Sequence, residues 1–191
     1  EKIVIGSNLP KNLMDIDYGV KKNIELLAKA KNKKISELKA CVLKRDRHKH
    51  IIETLNKMNV KINFITDGDI AGALSVIGEN PKNDIYYSTG GAPEGVVVAA
   101  ALSCYGGQIQ GRLVLDEEEK VRAKKLGITD FKKKYNIDDM VKGDVIFCAT
   151  GVTSGDLAKG VVDLGNEFEV NTFVLHKSKK IIKSVTNIYN K

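Results

Sequence analysis

Asp84-Ile85-Tyr86-Tyr87-Ser88-Thr89-Gly90-Gly91-Ala92-Pro93-Glu94-Gly95-Val96-Val97-Val98-Ala99-Ala100-Ala101-Leu102 runs as a short apolar segment, a glycine turn and a stretch of small apolar residues. The segment predicts a strand and the small-residue stretch a helix. Pro93 suits the first helical position, where its missing N–H costs nothing. Gly90 and Gly91 permit positive φ and a close approach of a ligand to the backbone. Glu94 falls in the first turn, beside the positive end of the helix dipole, where a carboxylate either favours the helix start or binds a cation. Two similar units precede this one. Ala40-Cys41-Val42-Leu43 leads through Lys44-Arg45-Asp46-Arg47-His48 into Ile51, Ile52, Leu55 and Met58 at helical spacing. Val60 to Ile65 alternates as a strand does and ends at Asp67-Gly68-Asp69, ahead of a short helix over 70–77. Three strand–turn–helix units in succession, over 40–58, 60–77 and 85–105, predict an α/β fold with a mainly parallel sheet and flanking helices. Ligands of such sheets bind beyond the carboxyl ends of the strands. Arg45, Arg47, Asp67, Asp69 and Glu94 all fall there.

Outward from this centre, Lys2 to Gly6 predicts a short strand, and a helix is expected from Asp17 with Val20, Ile24 and Leu27 on one face. Gln108 to Leu115 suggests a further strand. Residues 116–142 carry eight basic and seven acidic side chains and are expected to form a charged helical excursion on the surface. Val145 to Ala149 has the composition of a buried strand and leads through Thr150-Gly151-Val152-Thr153-Ser154-Gly155-Asp156 into a helix-like 157–162. Thr172 to His176 and Ile181 to Ile188, joined by a lysine-rich turn, predict a C-terminal antiparallel hairpin.

The 191 residues suffice for one substantial core or two small lobes sharing one. A hydrophobic content of 42% and a charged content of 29% are ordinary for a globular protein. No apolar run approaches the roughly 20 residues of a membrane span. Cys41, Cys104 and Cys148 are odd in number, widely spaced and set in apolar stretches, which points to reduced core thiols and a cytoplasmic protein. The net charge of +7 is unevenly spread. Residues 1–61 hold 15 Lys and Arg against 7 Asp and Glu, and residues 171–191 hold five lysines and no acid. Between 62 and 115, Asp67, Asp69, Glu79, Asp84 and Glu94 face only Lys82 and Arg112. With aromatics at 6% and no Trp, this pattern argues against a nucleic-acid partner, which calls for arginine and aromatic residues on one face. An acidic centre with arginines nearby suits a metal and a phosphorylated small molecule.

Each motif has two physical explanations. Arg45-Asp46-Arg47-His48 is either a solvated basic turn or an anion site at a helix start, where arginine forks match phosphate oxygens. Asp67-Gly68-Asp69 is either a turn with a helix N-cap or a pair of carboxylates for sugar hydroxyls or a divalent ion. His48 and His50 at i,i+2 lie on different helix faces and are not expected to share a metal. Thr150 to Asp156 has the glycines and hydroxyls of an anion cradle, without the Gly-Lys-Thr ending of a P-loop. Gly90-Gly91 does not complete the dinucleotide fingerprint.

In combination the blocks are more specific. Val42-Leu43 with Arg45-Asp46-Arg47-His48, Asp67-Gly68-Asp69-Ile70-Ala71, Gly90-Gly91-Ala92-Pro93-Glu94-Gly95-Val96, Gly111-Arg112-Leu113 and Ala149-Thr150-Gly151-Val152-Thr153-Ser154-Gly155-Asp156-Leu157 resemble class II fructose-1,6-bisphosphatase in order and spacing, from about Glu1 to Ile188. The resemblance implies a sugar-phosphatase fold of the inositol-monophosphatase kind. It implies hydrolysis of the 1-phosphate of fructose 1,6-bisphosphate with Mn²⁺ or Mg²⁺, a gluconeogenic step, in a cytoplasmic homo-oligomer with no membrane partner. Sedoheptulose 1,7-bisphosphate is a second implied substrate. By the same resemblance Glu94 is a metal ligand and Asp67, Gly68 and Asp69 hold the sugar. Gly91 touches the substrate, and Arg45, Asp46 and Arg47 hold the distal phosphate; Asp46 stands where the family usually has proline. The family's other metal carboxylates, including an Asp-x-x-Glu-Gly-Thr type motif, precede the segment matching Glu1. The chain is thus expected to be the C-terminal substrate-binding portion, incomplete at its N-terminus. By itself it is either part of the enzyme or a non-catalytic sugar-phosphate-binding module.

Overall fold

Every residue of Ile85–Ser88 is buried, so this strand needs cover on both faces and a neighbour on each edge. The computed structural model, which describes residues 1–191, supplies both. Six strands form one sheet: β1 (Lys2–Ile5), β2 (Lys39–Leu43), β3 (Lys61–Ile65), β4 (Ile85–Ser88), β5 (Gln108–Arg112) and the two-residue β6 (Lys134–Tyr135). Their order is β3-β2-β4-β1-β5-β6. The pairs β2–β3 and β2–β4 are parallel, while β1 lies antiparallel between β4 and β5. Four of the six strands therefore point the same way, and the mixed character comes from β1 and β6.

The period of two along each strand sorts the side chains onto two cores. Ile3, Ile5, Ala40, Val42, Ile85 and Tyr87 face α1 (Gly19–Lys31) and α2 (Lys49–Lys57), packing on Ile24, Leu27, Ile51 and Leu55. Val4, Cys41 and Tyr86 face the other way. They pack on Ala73 and Leu74 of α3 (Asp69–Leu74) and on Val98, Ala99, Ala101 and Leu102 of α4 (Ala92–Tyr105). This second core continues to Phe147 and Leu175 of a separate sheet. That sheet is antiparallel, in the order β10-β9-β7 with β8 paired to β9. Its strands are β7 (Ile146–Thr150), β8 (Val162–Asp163), β9 (Glu167–His176) and β10 (Ile181–Asn190). Helix α4 thus lies between two sheets, which explains a sequence apolar all round and built of small residues.

The three strand–turn–helix units and the C-terminal hairpin stand as expected, the hairpin longer at both strands. Three expectations change, the first at Val145 to Ala149, expected as a buried strand, where β7 buries Phe147 but leaves Ile146 and Cys148 exposed. The charged stretch 116–142 holds α5 (Glu117–Lys125), then β6, then the single-turn α6 (Ile137–Met140), so it is not one helical excursion. Residues 157–162 form no helix. The chain there folds back on itself: a Cβ on Gly151 would lie 1.9 Å from the Lys159 carbonyl oxygen, and one on Gly160 would lie 2.6 Å from the Ser154 nitrogen. That crossing needs glycine at both points and cannot be met by a helix.

The cysteines are free, but only Cys41 is a core thiol, its pKa pushed up by burial to about 11. Cys104 is half-buried and Cys148 is exposed, because β7 turns it away from α4. No helix is long and apolar enough to cross a membrane. Asp84, at the amino end of β4, is taken up by Lys31, Lys33 and the Lys39 N–H (2.5, 3.0 and 2.8 Å). It lies at the far end of the strand from Gly90.

Candidate functional site

The carboxyl ends of β2, β3 and β4 each release a polar loop, and hydrogen bonds tie the three together. After β2, Arg45 precedes a one-turn 3₁₀ helix, Asp46–His48. The Arg45 guanidinium donates to the Lys44 carbonyl (3.0 Å) and to the Thr66 carbonyl beside Asp67 (2.7 Å). The Arg47 Nε donates to the Thr89 carbonyl beside Gly90 (2.7 Å), and its two terminal nitrogens have no protein partner. Asp46 is exposed and its side chain forms no hydrogen bond or ion pair. Of the three residues expected at the distal phosphate, Arg47 offers the freest fork.

Asp67 is exposed, with one oxygen accepting the Gly68 N–H at 2.8 Å. Gly68 stands at φ 81°, left-handed, and turns the chain into α3. Asp69, the first residue of α3, is much less free than the sequence suggests. Lys2 of β1 forms an ion pair with one of its carboxylate oxygens and the Tyr86 hydroxyl donates to the other. Burial pulls the Asp69 carboxyl upward, but the Lys2 and Tyr86 contacts outweigh it and the net shift is down. Asp69 is thus held as a carboxylate. Burial and the bond to Asp69 push the Tyr86 hydroxyl far above its ordinary value.

Neither Gly90 nor Gly91 has a positive φ, so of the two expected reasons for glycine the left-handed backbone does not apply. Space is the reason. A Cβ on Gly90 would lie 3.2 Å from the Asp69 carboxylate, and one on Gly91 would lie 2.0 Å from Glu94 Oε2. Gly91 caps α4, and Pro93 occupies its second position, not the first as expected. The Glu94 carboxylate folds back over Gly91 and its Oε2 is buried without a hydrogen-bond partner. A buried carboxylate oxygen with no donor is costly unless a cation answers it, so this residue fits a metal ligand. No three His, Cys, Asp or Glu side chains of the chain gather as a set of ligands.

A groove of about 520 Å³ opens beside this turn, lined among others by Lys2, Gly91, Val96, Arg112, Leu115 and Tyr135. Arg112 is fixed there by Glu1 (2.7 Å) and Asp17 (2.5 Å).

Sequence reasoning missed Lys2, Tyr86 and His48. Lys2 had one signal, a lysine heading an otherwise apolar strand. Tyr86 had none, being a strand aromatic. His48 belongs by sequence to a basic turn or an anion site, yet it is fully buried and hydrogen-bonded at both ring nitrogens. The Thr150–Asp156 loop, whose composition allows an anion cradle, uses two of its glycine N–H groups within the fold. Its Gly151 N–H goes to the Asn171 carbonyl (3.0 Å) and its Gly155 N–H to the Ala158 carbonyl (3.1 Å). Asp156 pairs with Lys82 at 2.5 Å.

A family model described as bacterial fructose-1,6-bisphosphatase, glpX-encoded, matches residues 1–189. Fructose-1,6-bisphosphatase class 2 of Haemophilus influenzae is 32% identical, over 99% of this chain and 61% of its own length. A Synechococcus protein named D-fructose 1,6-bisphosphatase class 2/sedoheptulose 1,7-bisphosphatase is 34% identical, over 95% and 56%. Fructose-1,6-bisphosphatase 1 class 2 of Escherichia coli K12 is 31% identical, over 99% and 60%. The chain spans about three fifths of the length of the curated relatives it matches.

Proposed function

The chain belongs to the bacterial fructose-1,6-bisphosphatase family, and we propose that it supplies the substrate-binding residues and one metal ligand for removing the 1-phosphate of fructose 1,6-bisphosphate. The observation that carries this reading is the buried, partnerless Oε2 of Glu94 at the head of α4, one turn of chain from the residue that Arg47 grips. One end of the site is suited to a cation and the other to a phosphate.

In this reading the terminal nitrogens of Arg47 hold the distal 6-phosphate by a charge-assisted fork, with Arg45 and Asp46 beside it. Asp67 offers its free oxygen to sugar hydroxyls. Asp69, fixed by Lys2 and Tyr86, presents a charged acceptor that does not reorganise when sugar arrives. Gly91, lacking a side chain, leaves the Glu94 carboxylate room beside the reacting phosphate. A Mn²⁺ or Mg²⁺ ion at Glu94 supplies Lewis-acid chemistry at the 1-phosphate, and needs oxygen ligands beyond the one carboxylate this chain provides. Binding energy spent on the 6-phosphate places the reacting end. Sedoheptulose 1,7-bisphosphate, a gluconeogenic role, a cytoplasmic setting, a homo-oligomer and an inositol-monophosphatase-like fold belong to the same proposal. The lone metal-ligating carboxylate favours a second reading, in which these residues by themselves bind sugar phosphates without hydrolysing them. Mn²⁺-dependent release of phosphate from fructose 1,6-bisphosphate separates the two: its presence supports hydrolysis, and its absence with retained binding of fructose 6-phosphate supports the second.

A further inference from the structure

His48 is fully buried between the ends of two parallel strands. Pairing of β2 with β4 stops at Val42 and Tyr87, and beyond that point the imidazole joins the strands. Its Nε2 lies 2.8 Å from the Thr89 nitrogen, and its Nδ1 lies 2.7 Å from the Leu43 carbonyl oxygen. A backbone N–H can only donate, so Nε2 must carry the lone pair. A carbonyl can only accept, so Nδ1 must carry the proton. The neutral ring is therefore fully used, with one tautomer dictated by its neighbours. Burial lowers its pKa, in keeping with a ring that stays neutral.

The same 3₁₀ turn holds Thr89 a second time, through the bond from Arg47 Nε to its carbonyl. Both backbone polar groups of Thr89 are thus set by residues of one turn, and Thr89 leads directly into Gly90 and Gly91. The imidazole is a rigid spacer here, while the arginine is a flexible arm. We propose that His48 is a positioning residue whose ring sets the span between the Arg47 arm and the Gly90–Gly91 turn, and with it the phosphate-to-phosphate separation the site accepts. This rests on the reading of the site given above. A histidine that merely filled the core would affect ligands of every size alike. A spacer affects chiefly the ligand that reaches both ends.

The test uses the full-length protein and two ligands, fructose 1,6-bisphosphate and inorganic phosphate. His48→Phe keeps an aromatic ring, a somewhat larger one, and removes both hydrogen bonds. His48→Gln keeps one donor and one acceptor on a side chain of comparable reach. The Phe variant is expected to bind the bisphosphate on the order of tenfold more weakly, as small misplacements do, with phosphate affinity unchanged within about twofold. The Gln variant is expected to recover most of the bisphosphate affinity. Equal weakening of both ligands by Phe, or no weakening of either, overturns the proposal. If the Phe variant does not fold, His48→Asn replaces it: its amide is one carbon shorter, and bisphosphate affinity equal to that of the Gln variant overturns the proposal. A wild-type protein that binds no bisphosphate overturns the proposed function and this inference together. A wild type that binds, with His48 variants that bind equally well, overturns this inference alone.

Discussion

Two loops of this molecule look alike in composition and behave oppositely. Thr89–Gly95 and Thr150–Gly160 each follow a strand, carry glycines and hydroxyls, and have the make-up of a phosphate or metal site. In the second, the groups at the backbone crossing are spent within the fold, and the stretch from Val152 to Ser154 is exposed. Asn171 accepts the Gly151 N–H through its carbonyl and the Lys159 N–H through its side chain, while the Ser154 hydroxyl accepts the Gly160 N–H. In the first, the frame is built by outside residues, His48, Arg47 and Lys2, and the functional atoms are left unspent. Glu94 Oε2 has no partner, and the Arg47 terminal nitrogens have none. The two loops differ in whether a buried charged atom is left without a partner, as at Glu94 Oε2, and composition does not report that.

The largest expected effect separates the two loops by activity. Glu94→Ala should lower turnover by roughly a thousandfold, the scale of losing several kcal/mol of metal-based stabilisation. Its urea midpoint should change little, since no hydrogen bond is lost. Near-normal turnover at saturating Mn²⁺ would remove Glu94 from the site. The second loop should show the reverse. Gly151→Ala must displace the Lys159 carbonyl and is expected to cost about 3 kcal/mol of stability, as overpacking does. Affinity for fructose 6-phosphate in the remaining folded protein should be unaffected. Weakened binding with unchanged stability would mean that the loop is a ligand site after all.

Within the first region, the two arginines are expected to differ. Arg47→Ala should raise KM for fructose 1,6-bisphosphate about tenfold, the worth of a charged hydrogen-bonded contact, with kcat little changed. Arg45→Ala should raise it less, because its fork is already shared between the Lys44 and Thr66 carbonyls. A larger effect at Arg45 would reverse the assignment of the free fork.

The fold was legible where one physical rule decided each segment. Three strand–turn–helix units and the hairpin follow from periodicity and from the turn residues between the apolar segments. The antiparallel direction of β1 was not legible, since strand direction depends on which edge is open when the chain returns. Nor was the path of 157–160, fixed by a backbone crossing at Gly151 and Gly160. At the candidate site, the sequence places Arg45, Arg47, Asp67, Asp69 and Glu94 beyond the strand ends, as the structure does, but Asp69 and His48 are held by partners 67 and 41 residues away in the chain, Lys2 and Thr89. A local motif contains no trace of such partners.

The smallest expected effect tests whether the frame around Thr89 depends on a neutral ring. Burial holds the His48 pKa below its ordinary value of 6.5. When its folded pKa lies below its unfolded pKa, the unfolded chain binds the extra proton as the pH falls. The contribution of His48 to stability is therefore fully present above about pH 6.5 and declines below it, until the folded ring also protonates. Facing charges from Arg47 and His50 act in the same direction, while the bond to the Leu43 carbonyl and the charge of Asp69 oppose them without reversing the shift. The wild-type urea midpoint should thus fall between pH 7.5 and 5.5 by more than that of His48→Gln, whose amide does not titrate. Half-buried Asp69 and buried Asp84, both carboxylates with lowered pKa, lose their contributions only at lower pH, below the ordinary Asp value of 3.8, so the two windows do not overlap. Parallel declines in wild type and variant would show that the imidazole is not what holds Thr89 to the end of β2.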